Sequence, residues 1–173
     1  MTQTQALGIV EGFDLSQYTD LAASDEMMRH SHEMIMVPRL WSSCALPVNL
    51  SWSVYPFSEN SRNQIPEQQG VYAFLILPAI AGNLGVAYLM YIGETDRTLR
   101  VRFGEYLLEA RSNKIRPKLL RILPLYPNHL AFACATVPSG LVPKEVESAL
   151  IEAFLPPGND DIPATVRRPR RAF

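Results

Sequence analysis

Cysteine is scarce in this chain of 173 residues: only Cys44 and Cys134 occur. Neither belongs to a Cys-x-x-Cys pair, which excludes a disulfide framework or a zinc ribbon as the basis of the fold. Both read as reduced, buried thiols. Long hydrophobic runs are missing too, since the longest, VYAFLILPAIAG at 71–82, is interrupted by Pro78 and is too short to cross a membrane. The opening MTQTQALGIVEGFD has neither a basic stretch nor a continuous apolar segment, so no secretory leader is expected and the expected compartment is cytoplasmic. A length of 173 residues leaves no room for two independent cores.

The chain also lacks an excess of charge of one sign, its formal net charge being −1. That balance hides an asymmetry. Residues 1–69 carry 3 basic and 8 acidic side chains, whereas residues 70–173 carry 13 basic and 9 acidic. Basic residues concentrate between Arg97 and Arg121 and in RRPRR at 167–171. Such a split suits a chain whose second half meets a polyanion, although charge runs also serve simply as solvated faces.

Local patterns divide the chain into three parts. Residues 1–69 read as an N-terminal extension packed on the core and loosely ordered at its start. SDEMMRHSHEMIM at 24–36 suggests a short helix, and the aromatic residues and prolines of 37–69 suggest short strands and loops. His30 and His32 stand at i and i+2 on that helix, facing different sides, so they do not pair as metal ligands. The core is expected over 70–159. GVYAFLIL (70–77) and VAYLMYIGET (86–95) form a hairpin with a long tip. A helix over 97–110, another over 117–123 between two prolines, a strand over 129–138 and a helix over 143–154 follow, giving the order ββααβα. If the hairpin is symmetric about its tip, Tyr72 faces Tyr91 and Gly70 faces Gly93, with both tyrosines on one face. Residues 160–173 form a basic tail.

Two helices carry charge on their apolar sides. At 100° per residue, Val146, Ala149, Leu150, Ile151, Ala153 and Phe154 share one arc of the last helix, and Glu147 falls inside it. A carboxylate there must be neutralised, paired or metal-bound, because an isolated buried charge is expensive. Glu145 and Glu152 lie on the opposite arc. In the first core helix Leu99, Phe103, Tyr106, Leu107 and Ala110 form the buried stripe, with Arg102 at its margin and one turn from Tyr106. One inward arginine, one inward glutamate and two facing tyrosines suit phosphodiester chemistry. They equally suit an Arg–Glu pair among core tyrosines, and the pattern alone leaves both open.

GVY at 70–72, YIG at 91–93, the arginine of LRVRF, the glutamate of ESALIEAF and the asparagine of PPGN together resemble the GIY-YIG nucleases, in the family's order and over 70–159. The resemblance implies an α+β fold with a small three-stranded antiparallel sheet flanked by helices, and a metal-dependent endonuclease acting on DNA, RNA being the other candidate polymer. It implies Tyr72 and Tyr91 as site tyrosines, Tyr72 as the route for the water's proton, Arg102 on the scissile phosphate and Tyr106 one turn later. Glu147 becomes the sole protein ligand of Mg²⁺ or Mn²⁺, and Asn159 closes the site by hydrogen bonding. Gly70 and Gly93 are expected where backbone must approach closely. Arg97, Arg100, Arg111, Lys114, Arg116 and Lys118 are candidate contacts to the phosphate backbone. Cutting both strands would call for two copies of the chain, a homo-oligomer; no membrane association is expected. The chain departs from the family in the eighteen residues between GVY and YIG, more than is usual, and in Arg102, one position late after Gly93. A catalytically silent nucleic-acid-binding module and a protein-interaction unit are the alternatives.

Overall fold

The computed structural model describes residues 21–78, 85–112, 119 and 122–159. The chain divides between His32 and Glu33 into two compact units. In the first, α1 (Leu21–Arg29) is a single helix whose Arg29 Nε donates to the Asp25 carbonyl at 3.3 Å. It starts and stops earlier than the expected 24–36. His30 and Ser31 are poor helix formers, and Ile35 and Val37 before Pro38 favour extended backbone, which explains the early stop.

The second unit contains, in chain order, α2 (Pro38–Ser43), β1 (Ser53–Pro56), a 3₁₀ turn (Glu59–Gln64), β2 (Gly70–Ile76), β3 (Tyr88–Thr95), α3 (Leu99–Arg111), β4 (Leu130–Thr136) and α4 (Pro143–Phe154). The four strands form one antiparallel sheet in the order β1-β4-β2-β3. The expectation of three strands is therefore corrected to four. The added strand comes from the N-terminal extension and pairs with β4, Ser53 facing Cys134 and Pro56 facing Ala131. Its four residues end in a proline, which an edge strand tolerates and which hides it in the sequence.

The hairpin register also differs from the symmetric reading. Tyr72 faces Gly93, Gly70 faces Thr95, and Tyr91 faces Phe74. The shift is two residues, an even number, so Tyr72 and Tyr91 still share a face. A bulge between Phe74 and Leu75 on β2, where Met90 is the extra residue on β3, adds to the irregularity. It lets both Met90 and Tyr91 pack into the cluster under α3.

Period-two alternation along the strands builds two apolar layers. Tyr72, Phe74, Phe132 and Cys134 point toward α3, where they meet Leu99, Phe103, Tyr106 and Leu107. Val71, Ala73, Ile92, Ala133 and Ala135 point toward α4, where they meet Val146, Leu150 and Ile151. The α3 stripe is buried as its spacing implies, and α4 has the expected bounds, although its last residue, Phe154, is exposed. Thr98 caps α3, its hydroxyl accepting from the Val101 N–H at 3.1 Å, so the helix begins two residues later than expected. Most of the expected 117–123 helix lies outside the described residues. Leu119, Ile122 and Leu123 are buried, and the N–H groups of Ile122 and Leu123 both donate to the Leu119 carbonyl at 3.0 Å.

Candidate active site

Four of the expected site residues meet where α3 crosses β2 and β3. The Tyr72 ring is buried, stacked on Phe132 with ring centroids 5.2 Å apart, and edge-on to Tyr106. Its hydroxyl lies 2.7 Å from that of Tyr106 and accepts a hydrogen bond from Arg102 Nε at 3.1 Å. The Arg102 guanidinium also covers the Tyr106 ring, 4.6 Å from its centroid. Tyr91, half-buried on the same face, packs its ring beside that of Tyr72, centroids 6.4 Å apart. The room for this cluster comes from Gly93, directly across the ladder from Tyr72. A Cβ at Gly93 would lie 2.5 Å from the Tyr72 hydroxyl oxygen, and one at Gly70 would lie 2.2 Å from the Ala135 carbonyl oxygen. Both glycines thus stand at close approaches, as expected.

Burial sets the proton affinities here, tempered by neighbouring charge. Tyr72 is pushed up to about 12 by burial and by Tyr91, against the pull of Arg102 and the hydrogen bonds from Tyr106 and Arg102. Tyr91 is raised further by burial, by Tyr106 and by the Glu147 charge. For Arg102, burial opposes the charge, but Tyr72, Tyr106 and Glu105 outweigh it and hold the guanidinium above its ordinary value. Both phenols are therefore neutral near pH 7, and Arg102 is charged.

Glu147 sits on α4, on the opposite side of the sheet, and is buried as its place in the apolar arc implies. Its carboxylate is paired with the ammonium of Lys144, one turn earlier and exposed. The partner is a lysine of the same helix, and no arginine reaches Glu147 among the described residues. Glu147 lies on α4, which packs on β3, and its charge raises the proton affinities of Tyr91 and Glu94 there. The Glu94 carboxyl is raised by burial and by Glu147, while Lys144 pulls it down.

Asn159 is buried against β3, the edge strand nearest the site. Its Oδ1 accepts from the Ile92 N–H at 2.9 Å and its Nδ2 donates to the Ile92 carbonyl at 2.8 Å. Gly158 N–H donates to the Met90 carbonyl at 2.8 Å, an approach a Cβ would block at 2.6 Å. Leu155, left-handed at φ 48°, turns the chain out of α4 toward this edge. The carboxamide thus fixes the backbone next to Tyr91.

Three of the candidate backbone-contacting cations, Arg97, Arg100 and Arg111, are held by carboxylates. Arg97 makes two hydrogen bonds to Glu105, at 2.8 and 3.0 Å. Arg100 binds Glu67 and the carbonyls of Ile65 and Asn63, tying α3 to the segment before β2. Arg111 pairs with Glu59 at 2.9 Å. Lys114, Arg116 and Lys118 lie outside the described residues, as does the RRPRR tail. Sequence reasoning overlooked Glu105, Glu94 and Lys144. The spacing of Glu105 three after Arg102, and of Lys144 three before Glu147, was the available signal for two of them. Glu94 carried no periodic signal.

Among the described residues no group of three or more histidine, cysteine, aspartate or glutamate side chains is arranged to hold a metal ion, and no helix is long and apolar enough to cross a membrane. No protein-family model matches the chain, and neither a curated protein nor a solved structure matches it significantly.

Proposed function

We propose that this chain is a metal-dependent endonuclease that hydrolyses phosphodiester bonds in DNA, by the chemistry of the GIY-YIG nucleases it resembles. One observation carries the reading: the Arg102 guanidinium turns inward onto the hydroxyl of buried Tyr72, which also meets the Tyr106 hydroxyl. Three polar groups from two elements converge there, in an interior that would otherwise be apolar.

Arg102 binds and orients the scissile phosphate. Its Nε and Nη1 are engaged by Tyr72 and Glu105, while Nη2 makes no hydrogen bond among the described residues and is the donor open to a phosphate oxygen. Burial disfavours the anion of both phenols, but at Tyr72 Arg102 and the hydrogen bonds from Tyr106 and Arg102 oppose it, whereas at Tyr91 Tyr106 and Glu147 add to it and only Arg102 opposes, so Tyr72 is the better proton acceptor. Tyr91 then orients the attacking water. The donor chemistry fits a Mg²⁺- or Mn²⁺-type ion: Glu147 offers a buried hard oxygen ligand, Glu94 stands close enough to feel its charge, and water completes such shells. When bound, the ion supplies positive charge to the phosphate and the leaving oxygen. Asn159 keeps the β3 backbone beside Tyr91 in place.

Incubating the purified chain with supercoiled plasmid and either Mg²⁺ or Mn²⁺ tests this reading. Nicking is expected, with loss of nicking in chelator and in Glu147→Gln. Cleavage that persists in excess chelator removes the metal from the proposal. The second reading, a silent nucleic-acid-binding module, is favoured by the Lys144 ammonium already neutralising Glu147; DNA binding with no nicking under either metal would establish it.

A further inference from the structure

Arg102 and Arg97 converge on one carboxylate. Glu105 accepts from Arg97 Nη1 and Nη2 at 2.8 and 3.0 Å and from Arg102 Nη1 at 2.9 Å. Two guanidinium groups that reach the two oxygens of a single carboxylate are also spaced to reach two oxygens of a single phosphate, because both anions accept the same planar fork of N–H donors.

We propose that Arg97 and Arg102 form a phosphate subsite in which Glu105 stands in for a nucleic-acid phosphate next to the scissile one, and from which that phosphate displaces it. The inference rests on the nuclease reading and gives its site a second point of attachment. Glu105 remains ionised there, its carboxyl held below its ordinary value by the Arg97 hydrogen bonds despite some burial, with Arg102 adding to the effect. Two further observations support displacement. Arg97 is exposed, and Glu105 is about a third exposed, so the pair is bathed in water, where ion pairs are weak and partners exchange readily. Arg97 also borders an open groove of about 570 Å³ between the start of α3 and the β4–α4 turn, lined by polar and apolar residues alike, Gln68, Asp96, Thr98, Val137 and Pro138 among them. A nucleoside attached to a phosphate at Arg97 has room there. A purely structural Arg97–Glu105 pair would need no such opening.

A carboxylate stand-in taxes binding, since the substrate must expel it. Removing its charge should tighten binding even though it leaves one acceptor oxygen where two received three hydrogen bonds. The test measures affinity of the full chain for a short labelled DNA duplex and the matching single strand, with chelator present so that cleavage does not intervene. Glu105→Gln is expected to tighten binding roughly three- to tenfold at low salt. Arg97→Gln is expected to weaken it and to reduce the salt slope by about one phosphate contact. The double variant should lose the gain of Glu105→Gln. Melting temperatures establish that each variant folds, and Glu105→Ala gives a second route should the glutamine variant fail to. Wild-type binding that Glu105→Gln or Glu105→Ala leaves unchanged or weakens overturns the stand-in while sparing the nuclease reading. Absence of binding to either DNA by wild type and variants alike overturns both.

Discussion

Gly93 stands directly opposite Tyr72 in the β2–β3 ladder, and the Tyr72 ring lies so closely across it that a Cβ would come within 2.5 Å of the ring and hydroxyl. The YIG glycine therefore serves the tyrosine of GVY across the sheet. Gly93→Ala should push the Tyr72 ring off Phe132 and Tyr106, costing about 1–3 kcal/mol as an overpacked core site. Thermal denaturation reads the loss of stability, and nicking assays should show activity lost with it. An alanine variant as stable and active as the parent would mean that the ring yields without consequence.

Arg102 separates catalysis from binding. If its guanidinium acts where charge develops on the phosphate, Arg102→Ala should lower the saturated single-turnover rate by roughly 10²–10³ while changing DNA affinity only a few fold. Rapid-quench measurements at saturating enzyme provide the comparison. A variant that cleaves at the parent rate once saturated, with only its affinity reduced, would place Arg102 among ground-state contacts.

Asn159 is expected to matter through the backbone it holds. Asn159→Ala leaves the Ile92 N–H and C=O without the two hydrogen bonds they now make, a cost of roughly 2–4 kcal/mol for two buried groups. Hydrogen exchange at Ile92 should accelerate, and exchange in α3 should not. Asn159→Asp keeps an acceptor for the Ile92 N–H but loses the donor to its carbonyl, so it should restore little. Unchanged protection at Ile92 in both variants would contradict the clip.

Alkaline pH should unfold the protein through two buried groups. Cys134 is raised by burial from 9.0 to about 11, and Tyr72 from 10.0 to about 12, burial being the larger cause and Tyr91 the next. Both folded values exceed the unfolded ones. The stability these groups contribute is therefore complete below pH 9, falls as pH rises from 9 toward 11 for Cys134 and from 10 toward 12 for Tyr72, and amounts to roughly 3 kcal/mol each. Urea denaturation between pH 8 and 12 checks this. Cys134→Ala should delay the onset of the decline by about one pH unit, and an onset that does not move would assign it elsewhere.

The elements that depend on local pattern were legible in the sequence. The α3 stripe of Leu99, Phe103, Tyr106 and Leu107, continued by the partly buried Ala110, and the burial of Glu147 follow from helical spacing, and the bounds of α4 follow from Pro143 at its start and LPPGN after its end. The shared face of Tyr72 and Tyr91 follows from strand alternation, which survives any even shift of register. These are properties of side chains a few residues apart, and backbone periodicity and local helix signals decide them.

Tertiary structure decided what distant segments do to one another. That β1 joins β4, that Tyr72 faces Gly93 and not Tyr91, and that Asn159 closes on Ile92 are pairings between segments whose own patterns do not name a partner; hydrogen-bonding geometry at the edges and a bulge at Met90 chose them. The charges show the same division. Spacing placed Arg102 and Glu147 toward the interior, but which opposite charge each would meet depended on reach and burial in the folded chain. Arg102 found Glu105 and Glu147 found Lys144, because a neighbour one helical turn away satisfies a buried or half-buried charge at less conformational cost than a distant residue does.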